Sequence, residues 1–360
     1  MMVADLLAEL ITFPTQQAGP NRGAGDERAI CEYLAPMLGA AGADEVAIEL
    51  VPRTDGAPGA YLFARWGTPH RLINIHIDTV PANAGWSHDP WTPYVADGRI
   101  YGLGSADTKG AIAATLVAID ATKPRDFGVL LSGDEESGSS VMRAFLAGPH
   151  TQAIREVIVC EPTSRTAGIA HRGVLSQRAL LSGPGGHSSK ADHLPKPLAQ
   201  LARLAAALDD AGLRRLTDGP PDMQGTCLNI AALHGGVAFN VISARGELEW
   251  SLRPYPGFDR AGWDREVASL AAAINPQIAI KTTIDHTPFA CDALADQVRK
   301  FVHSVGPLDF WTEAALWAAH GKNAIVVGPG NIAQAHAADE YVSLDDLDWA
   351  VGLFRSLVRH

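Results

Sequence analysis

Cysteine is scarce: Cys31, Cys160, Cys227 and Cys291 are the four in 360 residues, and no two form a CxxC pair. Thiols so few and so scattered read as reduced side chains of a cytoplasmic protein, not as a disulfide framework. Positive charge is also short. Lys and Arg number 29 against 40 Asp and Glu, and a net charge of -11 argues against nucleic acid or an anionic membrane surface as partner. No apolar run reaches the roughly 18 residues of a membrane-spanning helix. The start, Met1-Met2-Val3-Ala4-Asp5, has an acid where a signal peptide carries cations. A GxSxG elbow is missing and no cysteine has an evident histidine partner, which disfavours serine and cysteine hydrolases. Repeats, low-complexity segments and charge runs are absent too. What remains is ordinary globular composition, 47% hydrophobic and 19% charged, in a chain too long for one ordinary core. Two domains are therefore expected.

The order of elements places them. Leu6, Leu7, Leu10 and Ile11 lie at helical spacing before Pro14, and Gly25–Ala41 reads as a second helix. Strands are expected at 46–51, 60–66, 72–78, 127–132 and 156–160, with helices near 109–121 and 137–147. Alternating strands and helices predict a layered α/β sheet. After about residue 165 the texture changes. A long alternating segment, Gly168–Leu181, is followed by a turn at 184–189, a helix at 195–209, strands at 226–233 and 240–252, and a helix at 261–274. This is the pattern of an inserted α+β two-layer domain, 166–286, within an α/β domain made of 1–165 and 287–360. The alternating segment Gly168–Leu181 and the helix Pro195–Asp209 are expected to give an edge strand and an apolar face that a second copy could cover. The closing part is expected to hold helices at 293–304, 312–320 and 343–358 and a strand at 323–327.

One stretch demands an explanation. Ser132-Gly133-Asp134-Glu135-Glu136-Ser137-Gly138 follows the apolar run Phe127–Leu131. Adjacent glutamates at the end of a buried strand repel one another, and burial disfavours their charge. A cation is expected beside them, or a proton on one. Further donors lie near the ends of other apolar runs: His76 with Asp78, Asp107, Glu161 and His336. His76 and Asp78 share one face of a strand, because side chains alternate, and a metal-bound histidine commonly gives its other ring nitrogen to a carboxylate. Each residue alone has an ordinary reading: Asp107 a helix cap, Glu161 a surface acid, His336 a loop residue. Together they make an N/O ligand set suited to zinc or cobalt. Five ligands with one carboxylate shared suit two ions about 3.5–4 Å apart, leaving one glutamate of the pair as a base. The remaining histidines, such as His70, His150, His303, His320 and His360, read as surface or packing residues.

The segments HIDTVP, GLGSADTKG, SGDEESGS, CEPT, GGHSS and GPGNIAQAHAADEY follow one another along the whole chain. In this order they resemble the dinuclear metallohydrolases that include acetylornithine deacetylase, succinyl-diaminopimelate desuccinylase, aminoacylase and carboxypeptidase G2. TEA at 312–314 and LRPYPG at 252–257 are most similar to the acetylornithine deacetylase branch, and within it to acetylcitrulline deacetylases. Thr108 stands where a methionine is common, and Ser132-Gly133 where Thr-Ala is common; neither removes a ligand.

The resemblance implies a mixed-sheet α/β/α metallopeptidase-like catalytic domain whose inserted domain is both lid and dimer interface. It implies that Asp107 bridges two divalent ions, zinc or cobalt, with His76 and Glu161 completing one site and Glu136 and His336 the other. Glu135 is then the general base and Asp78 orients His76. His187 is expected to reach an active site, that of the partner subunit, to stabilise an oxyanion, and Asn240 and Arg253 to grip the substrate. A cis peptide bond is implied between Asp107 and Thr108. The activity implied is hydrolysis of an N-acetyl amino acid by a cytoplasmic homodimer in arginine biosynthesis, acetylcitrulline first and acetylornithine second, ahead of succinyl-diaminopimelate or a peptide. A binding protein that had lost catalysis would be expected to lack Glu135 or a ligand, and this chain has them all.

Overall fold

In a computed structural model, which describes residues 2–18, 24–53 and 58–359, the chain divides into two compact units. One comprises 1–169, 291–308 and 312–360, the other 170–290 with 309–311. His360 lies outside the described residues.

The first unit is built on a mixed sheet. Its strands run in the order Glu45–Val51, Gly59–Trp66, Phe127–Ser132, Arg71–His76, Glu156–Val159, Asn323–Val326 and Thr166–His171. The four from Phe127–Ser132 to Asn323–Val326 are mutually parallel. They are near-continuous apolar runs because both faces of the sheet are covered. On one face Ile73, Ile75, Val129 and Leu131 pack with Leu6, Leu10, Ile30, Leu34, Ile112 and Phe354 from the helices Val3–Ile11, Glu27–Ala40, Gly110–Thr122 and Leu344–Val358. The helix Gly110–Thr122 is small and apolar all round, so it can sit deep in this layer. On the other face Phe145 of Ser140–Ala147 meets Phe63 and Trp317, ring centroids 5.3 and 6.0 Å away. Trp317 donates its indole N–H to Asn74 Oδ1 at 2.6 Å.

Parallel strands share one carboxyl-terminal edge, and ligand sites of α/β sheets collect there. At that edge His76 ends its strand, Glu135 and Glu136 follow Ser132, Glu161 follows Val159, and the Gly328 loop follows Val326. The topology alone thus brings four distant segments of sequence to one place.

The second unit is a four-stranded antiparallel sheet, in the order Asn229–Gly235, Arg245–Leu252, Val174–Ser182 and Ala279–His286. Leu175, Ala179, Leu181, Leu248 and Trp250 pack on Leu201, Leu204 and Leu208 of the helix Pro197–Leu213 and on Trp263 and Val267 of Arg260–Ile274.

Three sequence expectations change. The segment Gly168–Leu181 is two strands, Thr166–His171 and Val174–Ser182, parted at Gly173, where a Cβ would lie 2.3 Å from the His286 carbonyl oxygen. Val174–Ser182 is an inner strand, not an edge; alternation reports one buried face and is blind to a strand's neighbours. The apolar face of Pro197–Leu213 is already covered by its own sheet. The edge strands are Asn229–Gly235 and Ala279–His286. Finally, the helix expected at 293–304 is one turn, Ala295–Val298, followed by the strand Ser304–Leu308. The strand pairs with its sheet neighbour Thr166–His171, and that pairing sets the extended conformation from Ser304 onward.

Candidate metal centre

Asp107 sits in the middle of the site. It is buried in the turn that enters Gly110–Thr122, and the peptide bond to Thr108 is cis. Glu340 fixes this turn. Its buried carboxylate accepts the backbone N–H groups of Gly104 (2.8 Å), Ala106 (2.8 Å) and Asp107 (3.0 Å). Thr108 Oγ1 donates to the His76 carbonyl at 2.6 Å. The Asp107 carboxylate is thereby presented edge-on to two histidines. Oδ1 lies 2.9 Å from His76 Nε2, and Oδ2 lies 3.4 Å from His336 Nε2. Glu161 stands on the first side, Oε2 3.9 Å from His76 Nε2, and Glu136 on the second, Oε1 2.9 Å from His336 Nε2. Two groups of three ligand atoms result, each within 4.8 Å: His76, Asp107 and Glu161, and Asp107, Glu136 and His336.

The loop carrying His336 is pressed onto the Glu161 segment. A Cβ on Gly328 would lie 2.7 Å from the Glu161 carbonyl oxygen, so only glycine permits this approach. Thr163 bridges to Asn331, and Ser164 N–H donates to the Gly330 carbonyl.

Asp78 is wholly buried. The nearest partner of His76 Nδ1 is the Asp78 main-chain carbonyl at 3.0 Å, with the carboxylate at 3.6 Å. The carboxylate instead accepts the backbone N–H groups of Glu135 and Glu136, both at 3.1 Å. One residue therefore touches the imidazole and the glutamate turn together. Glu135 belongs to neither ligand group.

The charges do not balance among these residues. Four carboxylates, on Asp107, Glu135, Glu136 and Glu161, face two imidazoles. Burial raises the pKa of Glu161, of Glu136 and of Glu135. Burial also pushes Asp107 upward, but hydrogen bonds from His336 and His76 outweigh it and hold Asp107 low. His336 is lifted to about 10 by Asp107 and then Glu136. The carboxylates raise both imidazoles toward the cationic form, and a divalent ion in each group would relieve the same excess of negative charge. Nitrogen and oxygen donors at this spacing fit zinc or cobalt.

Sequence reasoning missed the buried acids around the site. Besides Glu340, raised to about 8 mainly by burial, there is Glu313, raised to about 7 for the same first reason. Glu313 Oε2 accepts from Ser132 Oγ (2.7 Å) and Asn74 Nδ2 (3.1 Å). A third is Glu27, whose carboxylate lies against Gly133. A Cβ on Gly133 would come 1.7 Å from Glu27 Oε2 and 2.8 Å from the Ala60 carbonyl oxygen. Gly133→Ala is therefore expected to destabilise the protein by ~1–3 kcal/mol, as overpacking does, and a denaturant titration measures it. The available signal was an acid inside an apolar stretch, as in Thr312-Glu313-Ala314-Ala315-Leu316-Trp317.

The remaining site candidates, His187, Asn240 and Arg253, belong to the second unit. His187 is exposed on a two-residue strand paired with Val241–Ile242. Its Nδ1 accepts the Ser189 backbone N–H at 3.2 Å, so the neutral ring carries its proton on Nε2. Ser188 N–H donates to the Asn240 carbonyl at 2.9 Å, which brings Asn240 beside His187. Arg253, also exposed, is not with them. It follows the far end of Arg245–Leu252, whose near end pairs with Ser182 on the approach to His187. At ~3.3 Å per residue the strand alone separates them by about 25 Å.

Known proteins agree with this architecture. The chain is 36% identical to an N-acetyl-L-citrulline deacetylase of Xanthomonas campestris pv. campestris, over 95% of this chain and 93% of that protein. It is 32% identical to a succinyl-diaminopimelate desuccinylase of Stenotrophomonas maltophilia, over 81% and 84%. The crystal structure of an M20 family metallo-carboxypeptidase from Sulfolobus solfataricus superposes with a TM-score of 0.79 at 17% identity, covering 99% of this chain and 98% of that one, a likeness of fold. Residues 72–360 match the description of one protein family, and that stretch contains every ligand of both groups: the chain belongs to peptidase family M20/M25/M40.

Proposed function

We propose that the protein hydrolyses the amide of an N-acetyl amino acid, releasing acetate and the free amino acid, with N-acetyl-L-citrulline as first substrate and N-acetyl-L-ornithine as second. The observation that carries this is Asp107, whose two oxygens face two histidines, with Glu135 left unligated beside them. The 36% identical citrulline deacetylase supports the substrate class. His76, Asp107 and Glu161 would hold one zinc or cobalt ion, and Asp107, Glu136 and His336 the other; bound there, the pair lowers the pKa of a water near neutral pH. Glu135 takes the proton from the attacking water and passes it to the leaving α-amine as the C–N bond breaks. Asp78 holds Glu135 in place through its backbone N–H. His187, protonated on Nε2, donates to the developing oxyanion. Arg253 binds the substrate carboxylate, which its planar guanidinium can grip with two hydrogen bonds, and Asn240 adds a polar contact. Four free cysteines, two of them buried, support a cytoplasmic setting.

Chelation is expected to abolish activity and zinc or cobalt to restore it. Initial rates on acetylcitrulline, acetylornithine and succinyl-diaminopimelate, with either metal added, decide the substrate. Full activity in a metal-free preparation overturns the reading. Preference for a dipeptide over all three would favour the peptidase activity named for the Sulfolobus protein.

We infer a homodimer built through the second unit. A small substrate cannot span ~25 Å, so His187 with Asn240 and Arg253 serve one active site only if they come from different copies. The edge strand Asn229–Gly235, with the exposed Val237, Phe239 and Val241 beside it, offers a surface for the second copy. Mixing His187→Ala with Glu135→Gln, each nearly inactive alone, should regain up to one working site per exchanged dimer. No recovery despite proven subunit exchange rules out action in trans.

A further inference from the structure

We propose that Gln17, Glu27 and Arg53 are positioning residues, holding the Asp78 carboxylate and through it the turn that carries Glu135 and Glu136. The inference rests on the metal-dependent reading above for its kinetic part only. None of the three lies in the 72–360 stretch that matches the family.

Three buried carboxylates, Glu27, Asp78 and Asp134, converge in this corner of the first unit. One cation and one amide hold them apart. Arg53 Nη1 donates to Glu27 Oε1 at 3.0 Å, and Nη2 lies 3.6 Å from Asp134 Oδ1. Gln17 Nε2 donates to Asp78 Oδ2 at 2.6 Å and faces Glu27 Oε1 at 3.2 Å. Its carbonyl Oε1 accepts from Ser137 Oγ at 3.1 Å and from Arg53 Nη2. Only an amide can donate to two carboxylates and accept from a guanidinium and a hydroxyl at once. A glutamate here would add a fourth acid to a corner where burial already raises Glu27 to about 8.

The cluster reaches the glutamate turn from both ends. Glu27 accepts the backbone N–H of Asp134 at 3.2 Å, and Arg53 Nη2 donates to Ser137 Oγ at 3.2 Å. Asp78 holds Glu135 and Glu136 between these points. Gln17 is itself anchored to the strand end. Its N–H donates to the Thr79 carbonyl at 2.8 Å, and Thr15 Oγ1 to the Ile77 carbonyl at 2.7 Å. Asp78 Oδ2 thus has two donors, Gln17 and Glu136 N–H; without Gln17 it can swing, and the turn moves with it. Tolerances of ~0.5 Å in a catalytic constellation make such a shift costly.

The test is Gln17→Met in the full-length protein, loaded with cobalt. The variant removes the amide and keeps the shape. The expected result is a visible cobalt spectrum altered from wild type, kcat lowered ~10–100-fold as for other supports of metal ligands, KM nearly unchanged, and the unfolding midpoint nearly kept. Because Gln17 acts through Asp78, Gln17→Met combined with Asp78→Asn should be no slower than Asp78→Asn alone. An unchanged spectrum and kcat, or losses that multiply in the double variant, overturn the proposal. Should Gln17→Met not fold, Glu27→Gln takes the same measurements to the same end. If wild type itself shows no metal-stimulated hydrolysis, the functional reading falls, while the cobalt spectra still decide the positioning role.

Discussion

Glu135→Gln is expected to bind two metal ions per chain and to lose ~10²–10⁴-fold in kcat, the scale of a general base removed from a reaction that otherwise keeps its machinery. The side chain of Glu135 is in neither ligand group, so its amide leaves both intact. The hydrogen bond that places it runs from its backbone N–H to Asp78 and survives the change. Burial, and next the neighbouring Glu161, raise the Glu135 pKa from its ordinary range, which suits a group that must both take and return a proton. Glu136→Gln is the contrast. Its Oε1 stands 2.9 Å from His336 Nε2 within the second group, so this variant should lose metal from that site. Metal analysis of both proteins beside their kcat values makes the comparison. Equal metal loss in the two would show that the pair has been assigned wrongly.

Asp107→Asn is expected to be the most damaging single change. Asp107 alone belongs to both groups. An asparagine retains one oxygen and turns an N–H₂ group toward the other histidine, so neither site keeps its ligand set and one presents a donor where a cation must sit. Metal stoichiometry should fall well below two per chain. Metals contribute several kcal/mol of transition-state stabilisation, so kcat should fall by roughly 10³-fold or more. Atomic absorption and initial rates measure both, and circular dichroism checks that the fold persists. An Asp107→Asn protein with two ions and near-normal kcat would remove the shared carboxylate from the site.

Much of the architecture was legible because hydrophobic period and turn chemistry are local. The apolar runs at 127–132 and 72–76 and the amphipathic helices at 3–11 and 344–358 stand close to where their spacing puts them. Asp26 is the N-cap its type favours, accepting from Arg28 and Ala29 N–H. The pattern failed where neighbours decide. Whether Val174–Ser182 lies inside or at the edge of a sheet depends on its partners, and the helix expected at 293–304 is cut to Ala295–Val298 before a strand that pairs with Thr166–His171.

The candidate site divides along the same line. Residue type and motif order marked His76, Asp107, the glutamate pair, Glu161 and His336, because metal-binding chemistry uses few side chains and these stood at the ends of apolar runs. Tertiary structure alone decided that Asp107 faces both histidines, that the Asp78 carboxylate holds the glutamate turn while its carbonyl meets His76, and that Gln17, Glu27 and Arg53 stand behind it. It also set Arg253 apart from His187 by the length of a strand. These are distances between segments tens to hundreds of residues apart. They are fixed by strand order and by burial, and a carboxylate buried among others must find its donor wherever the fold delivers one.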